Sequence, residues 1–518
     1  MIDFRRLRLL IDTARYVTPS QQRARVRARA ARTFRRVLRK RFTPPRDVRV
    51  APHVPIAAAP AHPHDGVTFR FLSHEIREPR WDEPRASQLW RFHLHYFDYA
   101  LDLDAASFTR LAQSWMRENV VMNGDGWHPY PLSLRIVNWS RALDFFALDA
   151  DFAAELARSI YGQTRFLFDN LEHDVRGNHL LKNIRALIWS GVMFEGDEAR
   201  RWLDEGMRLL RIEVDEQVLA DGGHFERVPA YHVVVLRDLT ETAEWLRKNR
   251  ECPAWLDDAI ARMNQFLETI TGPGGRLPLL KDTTFDAVGS GPLAVSRPTV
   301  NGQLPTPSSG YAVIRDERIF LIADVGEPCP SYLPAHAHAD MFSFELTVGG
   351  APLIVDSGVY EYAEGQWRDW FRSTAAHNTV EIAGTNQSEV WGSFRVARRA
   401  KPRNVRFTRT DDGWLIEGEH DGYLRLHPPV IHRRAIRYVS YKAVIVTDDI
   451  LGEGETEAAS YLHLHPEATL KNFTSSVPVE ETEGWYSERF GEKRRNRVLV
   501  MRHRGAMPFR ITYEIPIA

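Results

Sequence analysis

A two-part α + β chain is predicted, an N-terminal α/α toroid followed by a C-terminal antiparallel β-sandwich-like sheet domain. Three observations carry this. Between about residues 85 and 285, apolar side chains recur at three- and four-residue spacing, as in the stripe Leu180, Ile184, Leu187 and Ile188. Beyond Gly272-Pro273-Gly274-Gly275 the period changes, and short runs rich in Val, Ile, Tyr and Thr alternate with turn residues. The 518 residues also exceed what one ordinary core organises.

In chain order, residues 1–84 form a basic arm and a linker. Arg5, Arg6, Arg8, Arg23, Arg25, Arg27, Arg29, Arg32, Arg35, Arg36, Arg39 and Arg41 face few acids, and a Pro/Ala/His-rich connector runs from Thr43 to Pro63. A solvated, partly helical tail, or peripheral contact with an anionic membrane surface or other polyanion, is expected of the arm. Residues 85–285 form the toroid, with helices over 108–120, 132–148, 151–174, 179–194, 197–219, 229–248 and 254–271. Short loops such as Asn123-Gly124-Asp125-Gly126 separate them, and successive helix pairs of this length suggest the toroid. Residues 286–518 form the sheet domain. After a turn-rich bridge over 289–307, strands are expected at 311–314, 319–325, 342–348, 380–382, 414–419, 438–446, 459–465 and 497–501.

Bulk properties exclude several classes. Lysine plus arginine (68) equals aspartate plus glutamate (68), so overall charge points to neither nucleic acid nor an acidic partner. Two distant cysteines, Cys252 and Cys329, make neither a disulfide framework nor a CxxC metal site. Arg8 and Asp12 interrupt Leu7, Leu9, Leu10 and Ile11, so no secretory core is read there, and no apolar run is long enough to cross a membrane. The expectation is a cytoplasmic or membrane-surface protein.

The most informative stretch is Pro334-Ala335-His336-Ala337-His338-Ala339-Asp340, with Val355-Asp356-Ser357-Gly358 and Ala376-His377-Asn378. On a strand, His336 and His338 would project from one face into one pocket. Asp356 ends an apolar run, and His377 precedes another. Two or three imidazoles with one carboxylate suit zinc. Ordinary strand histidines are the structural alternative. In the helical half, Trp127-His128 through Trp139, Gly177-Asn178-His179 and Asp221 through His232 carry polar and aromatic residues at loops and helix starts. Aromatic faces beside planar polar groups suit sugar rings and their carboxylates. Core packing for Trp127, a helix cap at Asn178, and an arginine partner for Glu226 are the structural alternatives.

Taken together, these segments resemble the heparinase II/III family of polysaccharide lyases, over about residues 85–465. The likeness rests on Asn178-His179, the loop from Asp221 to His232, His336-Ala337-His338-Ala339-Asp340, Asp356-Ser357-Gly358, and Arg372 through Thr379. Within the family it is most similar to members associated with bacterial surface polysaccharides. The resemblance implies β-elimination at a bond 4-linked to a uronic acid. Asn178, with His179 or His336, would neutralise the uronate carboxylate, and Tyr231 would serve as base, acid or both. A phenol is a poor base at neutral pH, so His232, Arg227 or His179 is expected to favour the phenolate. His338, Asp356 and His377 match the metal-binding positions, with zinc implied in either a structural or a catalytic role. Arg372, Glu226, Arg227, His232 and Trp127 are expected to contact substrate. The implied partner is an acidic polysaccharide, with a bacterial exopolysaccharide as good a candidate as a sulfated glycosaminoglycan. Two other classes stay open. One is a zinc-dependent glycan hydrolase, the other a non-catalytic glycan-binding or assembly protein.

Overall fold

The computed structural model describes residues 4–57, 62–286 and 308–517. The bridge expected over 289–307 lies outside them. Backbone contacts divide the chain into two units: a helical unit of residues 18–217 and 235–260, and a sheet unit of 1–17, 218–234 and 261–518.

The helical unit contains Pro19–Val37, Gln88–Tyr96, Ala105–Glu118, Pro129–Phe145, Ala150–Phe168, Gly177–Met193 and Asp197–Gln217. Local chemistry sets their starts. Asp104 accepts a hydrogen bond from the Ser107 amide, Asp149 accepts from Asp151 and Phe152, and Thr18 forms a capping box with Gln21. The arm is therefore helical here. Six tryptophans, Trp90, Trp115, Trp139, Trp189, Trp202 and Trp245, are almost wholly buried. Trp189 and Trp245 stack with ring centres 4.5 Å apart. Gly191 permits the close approach of Gly177–Met193 to Asp197–Gln217, because a Cβ there would lie 2.6 Å from the Leu203 amide nitrogen.

The sheet unit is antiparallel throughout its named sheets. One six-stranded sheet runs in the order Pro402–Thr410, Gly413–His420, Val430–Val439, Ala443–Gly452, Phe509–Pro516 and Thr474–Ser475. A four-stranded sheet orders Val479–Arg489, Glu492–Ala506, Glu455–His463 and Val380–Ile382, and another orders Tyr311–Arg315, Ile319–Asp324, Phe344–Val348 and Ala351–Ile354. Val430–Val439 shows the cause: its alternate residues Val430, His432, Arg434, Ile436 and Tyr438 are buried, and Arg433 and Arg437 are exposed. Phe344, Leu346, Ile416, Ile436, Val446, Leu462, Met501 and Ile511 belong to one core cluster. The run expected over 438–446 is two strands, joined by a turn in which Tyr441 takes a φ of 61°. Its apolar composition hid the turn.

Candidate active site and metal-ligand cluster

In the sheet unit, His336 and His338 do not lie on a strand. They occupy an irregular loop that precedes Phe344–Val348. What brings them together is a buried carboxylate. His336 Nδ1 lies 2.8 Å from Asp282 Oδ2, and His338 Nε2 lies 2.9 Å from Asp282 Oδ1. The Arg368 guanidinium bonds to both oxygens of the same carboxylate. Burial alone would raise Asp282, but the Arg368 charge and the histidine bonds outweigh it and hold the group well below the ordinary carboxylate range. An ionised Asp282 fixes both tautomers, because each imidazole gives it an N–H. The other ring nitrogen of His336, Nε2, lies 3.5 Å from Glu226 Oε2.

Tyr231 is the third residue of the helix Pro229–Asn249. Its ring stacks on His336 with centres 4.1 Å apart, and its hydroxyl lies 3.2 Å from that of Tyr362. Burial, the neighbouring Tyr362, and the carboxylates of Asp282 and Glu226 push its phenol well above the usual value. The expected phenolate is thus corrected: Tyr231 rests as a neutral hydroxyl. Of the side chains invoked to favour the phenolate, His232 is 1% exposed, with Nδ1 accepting from the His224 amide and Nε2 at the Met263 carbonyl. Burial pushes it down to about 3, so it stays neutral and structural.

The metal positions form a connected group. His377 Nδ1 lies 2.8 Å from Asp356 Oδ2, and the His338 and His377 rings are centred 5.2 Å apart. His338 Nδ1, His377 Nε2 and Asp340 Oδ1 are buried without hydrogen-bond partners. Among the described residues, no group of three or more His, Cys, Asp or Glu is placed so that it could hold a metal ion. What the region does hold is two imidazole nitrogens and a carboxylate oxygen left unsatisfied, donor types that zinc takes. Asp356 is engaged by the His377 ring and the Gly358 amide, which is the way carboxylates orient a ligating histidine.

In the helical unit, Asn178 does not cap its helix. The cap position is Arg176, at φ 66°, and Asn178 sits in the first turn, 3% exposed. His179 follows, with a side chain 31% exposed, its Nδ1 3.0 Å from Glu172 Oε1 and its ring 4.2 Å from that of Tyr130. Glu172 also accepts from the Asn183 amide at 3.1 Å and lies 3.8 Å from His128 Nδ1. Burial opposes its charge, but His179, His128 and Asn183 together lower its pKa.

The remaining expected contacts fare differently. All of the bonded guanidinium nitrogens of Arg372 donate to backbone carbonyls, those of Ala337, Gly392, Ser393 and Arg395. Buried at 1% exposure, it clamps the loop carrying His338 and has no face for substrate. Trp127 is 3% exposed and donates to the Asn119 carbonyl, so packing is its role. Glu226 is buried beside His336. Arg227 takes a φ of 56° and offers its carbonyl to the Tyr311 hydroxyl, while its own Nε has no partner. Asp282, Arg368, Tyr362 and Glu172 were not singled out from sequence. Asp282, in Lys281-Asp282-Thr283-Thr284, is 54 residues from the nearer histidine it holds. No local spacing reveals it.

Comparison with known proteins agrees with this architecture. Residues 96–289 match the heparinase II/III N-terminus and residues 300–479 the heparinase II/III-like C-terminal region. The chain belongs to the heparinase II/III family. A solved heparinase III superposes with a TM-score of 0.71 at 17% identity, covering 96% of this chain and 85% of that one. A heparan sulfate lyase mutant from Pedobacter heparinus gives 0.62 at 19% identity, with 88% and 80% covered. These likenesses carry the toroid and β-sandwich fold. In sequence, a heparin-sulfate lyase of Bacteroides thetaiotaomicron is 24% identical over 407 residues, 67% of this chain and 56% of that protein. The heparin-sulfate lyase of Pedobacter heparinus is 22% identical over 76% of this chain and 64% of its own length. The chain thus spans between half and two thirds of these curated lyases. The FtsZ-localized protein C of Caulobacter vibrioides is 27% identical over 450 residues, 82% of this chain and 75% of that protein.

Proposed function

We propose that the protein is a polysaccharide lyase that cleaves a uronic-acid-containing glycan by β-elimination. The observation that carries this reading is the Tyr231 hydroxyl, kept neutral beside Tyr362 and stacked on an imidazole that Asp282 anchors. Elimination removes the C5 proton, forms the C4–C5 double bond and breaks the C4–O4 bond, so one group must accept a proton and another must give one. A phenol held protonated is suited to donating to the departing O4. His336, with Nδ1 held by Asp282, presents Nε2 as the nitrogen to take the C5 proton. The resulting imidazolium would be balanced by Asp282 and Glu226. Asn178 and His179 are assigned to neutralising the uronate carboxylate, one as an amide donor and the other as an imidazole whose Nδ1–H points to Glu172. The substrate class is an acidic polysaccharide, and a bacterial exopolysaccharide meets the requirement as well as a sulfated one.

Zinc is part of the proposal, held by His338 Nδ1 and His377 Nε2 with the Asp340 carboxylate, and Asp356 orienting His377. When bound, it would supply a fixed positive charge that ties these loops together. Its test is metal content of the purified protein and the melting temperature before and after chelation. A chelator-sensitive melt supports it, and metal-free protein with an unchanged melt rejects it.

Product mass tests the reaction. Uronate polysaccharides treated with the protein should give fragments with an unsaturated end and no added water. Fragments carrying one added water would identify a hydrolase instead. A second reading, a glycan-binding or assembly role, is favoured by the Caulobacter relative, whose name records a location and no reaction. Under it, the protein binds the polysaccharides and releases nothing.

A further inference from the structure

The helix Phe4–Ala14, part of the sheet unit, has two unlike faces. One is fastened. Thr13 Oγ1 receives the Trp391 indole N–H at 3.1 Å, Arg8 pairs with Glu389 at 2.8 Å, and the Arg399 guanidinium lies 3.9 Å over the Tyr16 ring just beyond the helix. Asp12, the one acid on the helix, is 7% exposed and paired with Arg15. The other face is apolar and exposed. Phe4, Leu7, Leu10 and Ile11, at the three- and four-residue spacing that makes one stripe, are 79%, 44%, 46% and 52% exposed.

An exposed stripe of four large apolar side chains on a fastened helix is a costly surface to leave in water. Its surroundings choose the occupant. Arg5 and Arg6 share the helix with the stripe, and no exposed acid lies on it. The helical unit repeats the combination on Pro19–Val37, where Val26, Phe34 and Val37 are 70%, 61% and 72% exposed among seven arginines and no acid. A soluble polyanion would satisfy the arginines and leave the apolar stripe wet. A lipid interface takes both, the side chains entering the acyl boundary and the guanidinium groups meeting anionic headgroups.

We propose that the Phe4–Ala14 helix docks the protein on an anionic lipid membrane, lying in the interface with Phe4, Leu7, Leu10 and Ile11 inserted. The bonds to Thr13 and Arg8 then hold the sheet unit close to that surface. This assignment does not depend on the lyase reading.

The test is sedimentation of the full chain with vesicles, either phosphatidylcholine alone or with about one third phosphatidylglycerol. The wild type should bind the anionic vesicles and largely ignore the neutral ones. The L7Q/I11Q double variant should lose binding about tenfold or more, at an unchanged melting temperature because both residues are exposed. Failure to bind anionic vesicles would overturn the proposal. So would binding that L7Q/I11Q leaves intact and a soluble polyuronate competes away, which would assign the arginines to a polyanion.

Discussion

Each unit sets a histidine on a buried carboxylate, and the two arrangements differ in how completely that carboxylate is occupied. Asp282 in the sheet unit takes two imidazoles and a guanidinium, and nothing of it is exposed. Glu172 in the helical unit takes one imidazole closely, a second at 3.8 Å and a neutral amide, beneath a His179 that is 31% exposed. The first is a saturated, dry joint that sets the orientation of both His336 and His338. The second tunes one accessible imidazole. Removing charge from the two should therefore act on different properties, stability in one case and protonation in the other.

Asp282→Asn gives the largest expected effect. Arg368 would be left buried without its counter-charge, which costs about 3–5 kcal/mol. Chemical denaturation should show that loss, together with loss of any activity. A variant with wild-type stability would mean that the joint is not an anchor. Glu172→Gln should be milder. It keeps the shape and the bond to Asn183 but removes the anion beside His179, so the imidazole should give up its proton at lower pH than in the wild type, read by NMR titration. Activity should drop about tenfold, with the loss greatest above the new pKa. An unmoved His179 titration would erase the distinction between the two carboxylates.

A third effect, shared by both units, is on acid stability. Burial pushes His224 down to about 4 and His232 down to about 3 in the sheet unit, and His95 down to about 3 in the helical unit. Their folded pKa values lie below the unfolded value near 6.5, so the unfolded chain binds more protons as the solution is acidified. Stability should fall progressively from about pH 6.5 toward pH 4. Glu172, whose pKa is lowered, contributes in the same direction at lower pH, below its own unfolded value. Calorimetry across this range checks the sign. A protein that gains stability on acidification would contradict the buried, neutral state of these rings.

The order of helices and strands was legible because period and turn residues are local signals. The helix expected over 179–194 is Gly177–Met193, and the strand at 380–382 is as expected. What escaped was set by distance along the chain or by charge. Val479–Arg489 begins with exposed residues, three of them acidic by Glu483, so no apolar run marks it. Asp282 and Tyr362 lie 54 and 131 residues from the His336 and Tyr231 they meet, and only folding pairs them. Arg372 illustrates the converse. The family resemblance implied a substrate contact for it, but four backbone carbonyls in its reach make it a clamp, and burial pushes it down to about 9.

The central claim, that Tyr231 donates a proton in an elimination, is met most directly by ultraviolet absorbance during incubation with a panel of uronate polysaccharides. Wild-type protein should generate the absorbance of an unsaturated uronate on at least one of them. Tyr231→Phe should retain the fold and lose that signal by about a thousandfold. New reducing ends without the absorbance, or a Tyr231→Phe variant as active as the wild type, would contradict the account.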